Sequence, residues 1–160
     1  MTPDAQAFID AEIATLTQLA RTPDAGAALA YGVDLVCIDD IDPRLVELDP
    51  NSAASMAQDL YHRLATPRGQ LPDDPNYGYD LVGALHRAMT PSDRASIAGS
   101  ASLELGKDDR VARADCTLTQ DGDTFTLSAE ITPEDDTIAP FALIVAVTDG
   151  ATLLSTTLAP

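Results

Sequence analysis

The chain predicts an α+β fold in which helices come first and a small antiparallel β-meander closes the sequence. Three observations predict it. Apolar residues recur at helical spacing up to about Leu105. From Ala112 onward the period changes to two, the signature of half-buried strands. Between these later segments stand Asp121-Gly122 and Asp149-Gly150, strong hairpin turns that let neighbouring strands run antiparallel.

Thr2, Pro3 and Asp4 form a helix start, with a capping hydroxyl, a proline suited to the first turn and an acid at the positive end. Ile9, Ile13, Leu16 and Ala20 make one apolar stripe, and Pro23 and Gly26 end it. Residues 1–26 are therefore expected to form a helical extension, either a docking arm or a terminal helix packed on its own domain. Residues 27–160 are expected to form the main domain. Within it, Asp34 to Cys37 and Arg44 to Leu48 look like short strands around the acidic turn Asp39-Asp40-Ile41-Asp42-Pro43. That turn lacks the glycine and distal glutamate of a calcium loop, so it is expected to be merely solvated.

Asn51 or Ser52 caps the next helix, whose inner face is Met56, Ala57, Leu60, Tyr61 and Leu64, with His62 and Arg63 on the other face. Thr66 precedes a proline and is pushed out of helical geometry, so the helix stops there. A stiff loop with Pro67, Pro72 and Pro75 follows. Asp80 caps a short helix presenting Leu81, Val82, Leu85 and Met89. Thr90-Pro91-Ser92-Asp93 then starts a further helix carrying Ile97, Ala98, Ala101 and Leu105 and ending at Gly106. In the meander, Ala112, Ala114, Cys116 and Leu118 form one strand face, and Phe125, Leu127, Ala129 and Ile131 form the next. Phe141 to Val147 is continuously apolar, so it is expected at the sheet centre or in an interface, covered on both faces. Thr152 to Leu158 adds a last strand.

Composition narrows the function. The formal charge is −17, from 26 acidic and 9 basic residues, which disfavours nucleic acid and anionic membrane as partners and favours a basic protein surface. No window reaches the roughly 20 apolar residues of a membrane span. The N-terminus has no positively charged, apolar leader, so a cytoplasmic site of synthesis is expected. Cys37 and Cys116 lie far apart in apolar segments and are expected to be buried free thiols. No cofactor or metal is expected.

One stretch carries a resemblance. Thr66-Pro67-Arg68-Gly69, followed at loop distance by Asn76-Tyr77-Gly78-Tyr79-Asp80-Leu81, and later by Asp108-Asp109-Arg110-Val111, resembles the signature of the small W-type baseplate wedge proteins of contractile phage tails and injection systems, sometimes called lysozyme-like. The similarity runs from about Gly32 to Val147. It departs at Asp109, where the family usually has proline. It implies a structural baseplate subunit, located in the tail and present in multiple copies. Such a subunit joins other wedge proteins and offers its sheet edge to the first ring of the tail sheath protein by strand pairing. On this reading Pro67, Arg68, Gly69, Tyr77, Gly78, Asp80 and Arg110 are partner-binding residues. Arg68 and Arg110 are expected either to clamp a partner's carboxylate or to close a helix end or pair with an Asp of the same domain. Tyr77 and Tyr79 are expected as a plug over the core or as contact residues.

Two rival functions stand beside this one. Glycan cleavage needs two carboxyl groups across a sugar cleft, and no motif singles out a pair among Glu12, Glu47, Glu104, Glu130 and Glu134. The absence of Trp also removes the usual sugar-stacking surface. Ser100, Ser102, His62 and His86 form no recognisable catalytic pairing. The other rival is a regulatory anti-adaptor binding module of the same fold.

Overall fold

The computed structural model describes residues 33–37, 44–86, 90–148 and 151–158, the last of these through their backbone alone. The expected N-terminal helix, the 39–43 acidic turn, Met89 and the Asp149-Gly150 turn lie outside the described residues. The chain divides into two compact units, Met1–Gln58 and Asp59–Pro160, with the boundary inside a helix.

In the first unit, strands β1 (Asp34–Leu35) and β2 (Glu47–Leu48) pair antiparallel, with Asp34 opposite Leu48. The Val36 amide extends the pairing by donating to the Val46 carbonyl at 2.8 Å. Val36, Leu48 and Ala54 are buried together, with Val46 against them. Helix α1 (Ala53–Ala65) begins here, and Ser52 is its cap: the Oγ accepts from the Ser55 amide at 3.1 Å.

In the second unit α1 ends as expected before Pro67. Thr66 turns its amide and hydroxyl onto the His62 carbonyl, at 2.9 and 2.7 Å, which satisfies the last turn. Helix α2 (Leu81–Leu85) is capped by Asp80, which takes left-handed backbone (φ 59) and accepts from the Gly83 amide at 3.0 Å. Helix α3 (Pro91–Leu105) opens on a complete capping box. The Thr90 hydroxyl accepts from the Asp93 amide, and the Asp93 carboxylate accepts from the Thr90 amide at 2.7 Å. Ile97, Ala98, Ala101 and Leu105 are buried, as their spacing predicts.

Strands β3 (Val111–Asp121), β4 (Thr124–Pro133), β5 (Phe141–Thr148) and β6 (Ala151–Leu158) form one antiparallel sheet in sequence order. The α+β class and the closing meander are thus as expected. At the β3–β4 turn Gly122 has φ 57 while Asp123 does not, the pattern of a type II′ hairpin, whose twist suits the strands. On the inner face Leu127, Ala129 and Ile131 of β4 face Leu143, Val145 and Phe141 of β5 in a buried layer. Each large side chain fully buried in this way stabilises the unit by roughly 1.5–3 kcal/mol.

Three expectations are corrected. The register slips between Val111 and Arg113, so Ala112 is an extra, exposed residue. The inner face of β3 is consequently Val111, then Ala114, Cys116 and Leu118. Strand β5 does sit inside the sheet, between β4 and β6, yet only one face is fully covered. Phe141, Leu143, Val145 and Val147 are buried, whereas Ala142, Ile144, Ala146 and Thr148 are half-exposed. Neither Cys37 nor Cys116 is in a disulfide, and both are half-buried rather than buried. Burial pushes the Cys116 thiol above its ordinary pKa.

Candidate functional site

The expected site residues gather where α1 and α3 end, and a buried carboxylate organises them. Glu104 lies in the last turn of α3 with only 1% of its surface exposed. Four donors meet it. On Oε1 are the Gly78 amide at 3.0 Å and Arg63 Nη1 at 3.3 Å; on Oε2 are Arg68 Nη2 at 2.8 Å and Lys107 Nζ at 2.7 Å. Burial alone raises the pKa of a carboxyl. Here the bonds from Lys107, the Gly78 amide and Arg63, together with the charge of Lys107, outweigh burial and hold Glu104 below the usual range. The cations at two helix C-termini also offset the negative ends of those helix dipoles.

The loop between α1 and α2 is pinned to this carboxylate. The Tyr79 amide donates to the Arg63 carbonyl and the Asp80 amide to the Thr66 carbonyl, both at 3.2 Å, so the loop's far end returns onto the end of α1. Gly78 carries φ 97, and a Cβ there would stand 2.2 Å from the Thr66 oxygen. Only glycine permits that crossing. Arg68 Nε closes the base by donating to the Gly78 carbonyl at 3.1 Å. The Arg63 guanidinium lies 4.4 Å over the Tyr77 ring. Burial raises the Tyr77 pKa, and Arg63 partly offsets it.

Each expected partner-binding residue now has a position. Pro67 and Gly69 are at the loop base, where Gly69 has φ 86 and open space around it. Arg68 holds Glu104 of its own chain while keeping 53% of its side chain at the surface. Tyr77, Tyr79 and Asp80 are half-buried, and Gly78 is buried. Arg110 grips Asp108 with both arms of its fork, Nε at 2.9 Å and Nη2 at 2.8 Å, and reaches Asp59 Oδ2 with Nη1 at 2.9 Å. These bonds, those of Asp108 above all, raise the pKa of Arg110. They also hold the Asp108 carboxyl low against its burial. Both arginines therefore pair with acids of their own domain, the second of the two roles expected for them.

Sequence reasoning missed three contributors. Arg63 was expected on the outer helix face, but its side chain is 14% exposed and turned onto Glu104. Glu104 stood only among the candidate catalytic acids, although the sequence carries a signal: with Ile97, Ala101 and Leu105 it shares the apolar face of α3, and an acid on such a face needs internal partners. In the first unit the Gln58 amide group accepts from the Cys37 amide at 2.7 Å and donates to the Leu35 carbonyl and Asp34 Oδ2 at 2.9 Å, tying β1 to α1.

The sheet edges are unequal. Helix α3 lies along β3, and the Ser102 hydroxyl accepts from the Cys116 amide at 3.0 Å. That amide points away from β4, so the helix caps a donor on the outer side of β3. Arg94 reinforces the seam by donating to the Gln120 side-chain oxygen at 3.0 Å. At the other border, β6 pairs with β5 through eight consecutive residues without a slip, and among the described residues no strand lies beyond it. Its sequence, Ala-Thr-Leu-Leu-Ser-Thr-Thr-Leu, contains no charge and no proline. It therefore lacks the charges, prolines and bulges that commonly blunt an edge.

Among the described residues no helix is long and apolar enough to cross a membrane, and no cluster of side chains is suited to hold a metal ion. Comparison with protein-family models, curated proteins and solved structures found no match to this chain in any of the three.

Proposed function

We propose that the chain is a structural wedge subunit of a contractile-tail or injection-system baseplate, and that its β6 edge templates the first sheath ring by strand addition. The observation that carries this reading is the inequality of the two sheet borders. A subunit in the middle of a strand-exchanging series needs two free borders. A starter needs one, and a blunted second border discourages growth in the wrong direction. Strand β3 is the blunted border: it carries the bulge at Ala112 and the charges of Arg113, Asp115 and Asp121, and Ser102 of α3 caps the outward amide of Cys116. Strand β6, uncharged over eight residues, is the template.

The loop from Pro67 to Tyr77 is the second contact, directed to neighbouring wedge proteins. Residues 68–76 are all exposed while both ends of the loop are pinned, so it meets a partner with little freedom left to lose. The subunit acts by assembly alone. A general acid for glycan cleavage needs a raised pKa, whereas Glu104, the buried acid of the described residues, is held ionised by its four donors. An image of the assembled particle tests the reading. The chain is expected between the wedge and the first sheath ring, with a sheath strand beside β6. Finding the first sheath ring attached through another surface, with β6 facing solvent, overturns it.

A further inference from the structure

We infer that, without its partner, the β6 edge is occupied by a second copy of this chain, giving a closed two-fold dimer in which two four-stranded sheets join into one of eight strands. The inference rests on the same open border as the proposed function but not on the sheath. Four observations point to a second copy. Strand β6 is already formed and aligned on β5 over its whole length, from Thr148↔Ala151 to Phe141↔Leu158. Two such edges meet without the backbone-ordering cost that a flexible peptide carries. The edge bears no charge or proline, so two copies running antiparallel place no like charges opposite each other along the seam. Finally, β3 is blunted by its bulge at Ala112, by the charges of Arg113, Asp115 and Asp121 and by the Ser102 cap on the Cys116 amide, so each copy has one unblunted border among the described residues. One border per copy closes after two copies, whereas two borders would extend into a fibre.

The charge of −17 opposes the encounter of two copies. Added salt screens that repulsion and leaves backbone pairing intact, so dimerisation strengthens with ionic strength, the reverse of an ion-paired interface.

Sedimentation of the full chain between about 1 and 200 μM, at low salt and at about 0.5 M NaCl, tests this directly. The expected result is a monomer–dimer equilibrium that shifts towards dimer in salt and shows no larger species. In an antiparallel pair of identical strands the midpoints meet, so a substitution at Ser155 brings the two new charges side by side. In the backbone register Ser155 stands opposite Ile144, a half-exposed residue of β5. Ser155→Lys and Ser155→Glu should each weaken self-association at least tenfold while the urea midpoint of the monomer holds. Mixing the two variants should restore a heterodimer. A chain monomeric at the highest concentration and salt, a ladder of higher oligomers, or two charge variants that associate like the parent would each overturn the inference. None of these removes the proposed function, because a monomer still offers its edge to another protein. Conversely, an intact dimer whose chain fails to recruit sheath would sink that function and leave the dimer standing.

Discussion

Replacing Glu104 tests the claim that one carboxylate holds the corner. In Glu104→Gln a single oxygen remains, and it stays with the donors that have nowhere else to go, the Gly78 amide and Arg63. The new amide then faces Arg68 and Lys107, which swing into water, since their side chains are 53% and 44% exposed. Ion pairs that open to solvent contribute about 0–1 kcal/mol each. Loss of charge assistance to the two inner bonds costs about 1 kcal/mol apiece, the difference between charged and neutral hydrogen bonds. The sum is about 2–4 kcal/mol. Glu104→Ala also strands the Gly78 amide and a buried guanidinium, for which about 3–5 kcal/mol is the expected loss. With a urea slope of about 2 kcal/mol/M, the midpoints fall by about 1–2 M and about 1.5–2.5 M. The pH dependence has a fixed sign. The folded pKa of Glu104 lies below its ordinary 4.5. Its stabilising contribution is therefore complete above the unfolded value and disappears as pH falls through the folded one. The gap between parent and Glu104→Gln should be full at pH 7 and should narrow steadily below about pH 4.5. A Glu104→Ala variant within about 1 kcal/mol of the parent at pH 7, or a gap indifferent to acid, would refute the reasoning.

Further outcomes follow from the same geometry. Gly78→Ala sets a Cβ 2.2 Å from the Thr66 oxygen at φ 97 and should cost about 3 kcal/mol or more, whereas Gly69→Ala, at φ 86 in open space, should cost only about 1 kcal/mol; paired urea melts compare them. Arg63→Met should destabilise the second unit by about 3 kcal/mol, because Arg63 is nearly enclosed, while Arg68→Ala should cost about 1 kcal/mol and leave the fold intact. Gln58→Leu removes the partner of the Leu35 carbonyl and one partner of the Cys37 amide, so amide exchange at Cys37 should accelerate by roughly 30-fold, equivalent to about 2 kcal/mol, with β3–β5 amides unaffected.

Features fixed by neighbours in sequence were legible in advance. The Thr90–Asp93 capping box, the Asp80 cap, the stop before Pro67 and the Asp121-Gly122 hairpin each depend on residues within four positions of one another. Features fixed across the chain were not. Arg63 and Glu104 are 41 residues apart, and helical spacing alone placed Arg63 outside because its border position on α1 fits either orientation. The slip at Ala112 was hidden for a similar reason. A strand pattern reads equally well from Val111 or from Ala112, and only pairing with Thr132 and Pro133 decides between them. At the candidate site the sequence identified the loop and its glycines. It left open whether Arg68 and Arg110 face inward or outward, since Glu104 lies 36 residues from Arg68, and Arg110 holds Asp59, 51 residues away, as well as its near neighbour Asp108.

Strand addition to β6 is weak for one copy, and that weakness bears on how such a template works. Of its eight residues, alternate ones turn their amide and carbonyl outward, so about eight backbone bonds can form at roughly 0.5–1.5 kcal/mol each. Ordering a flexible eight-residue donor costs about 1–2 kcal/mol per residue, which cancels most or all of that gain. A single edge therefore captures a flexible strand poorly and a preformed one better. A ring of edges changes the balance, because once one strand of a sheath ring is seated the others bind at high effective concentration. The template needs no special side chains under these conditions, only a straight, uncharged border held in place by the rest of its sheet. If β6 is the template proposed above, the blunting of β3 matters in the same setting, since an array concentrated enough to favour pairing at β6 would equally favour errant pairing at a second open border.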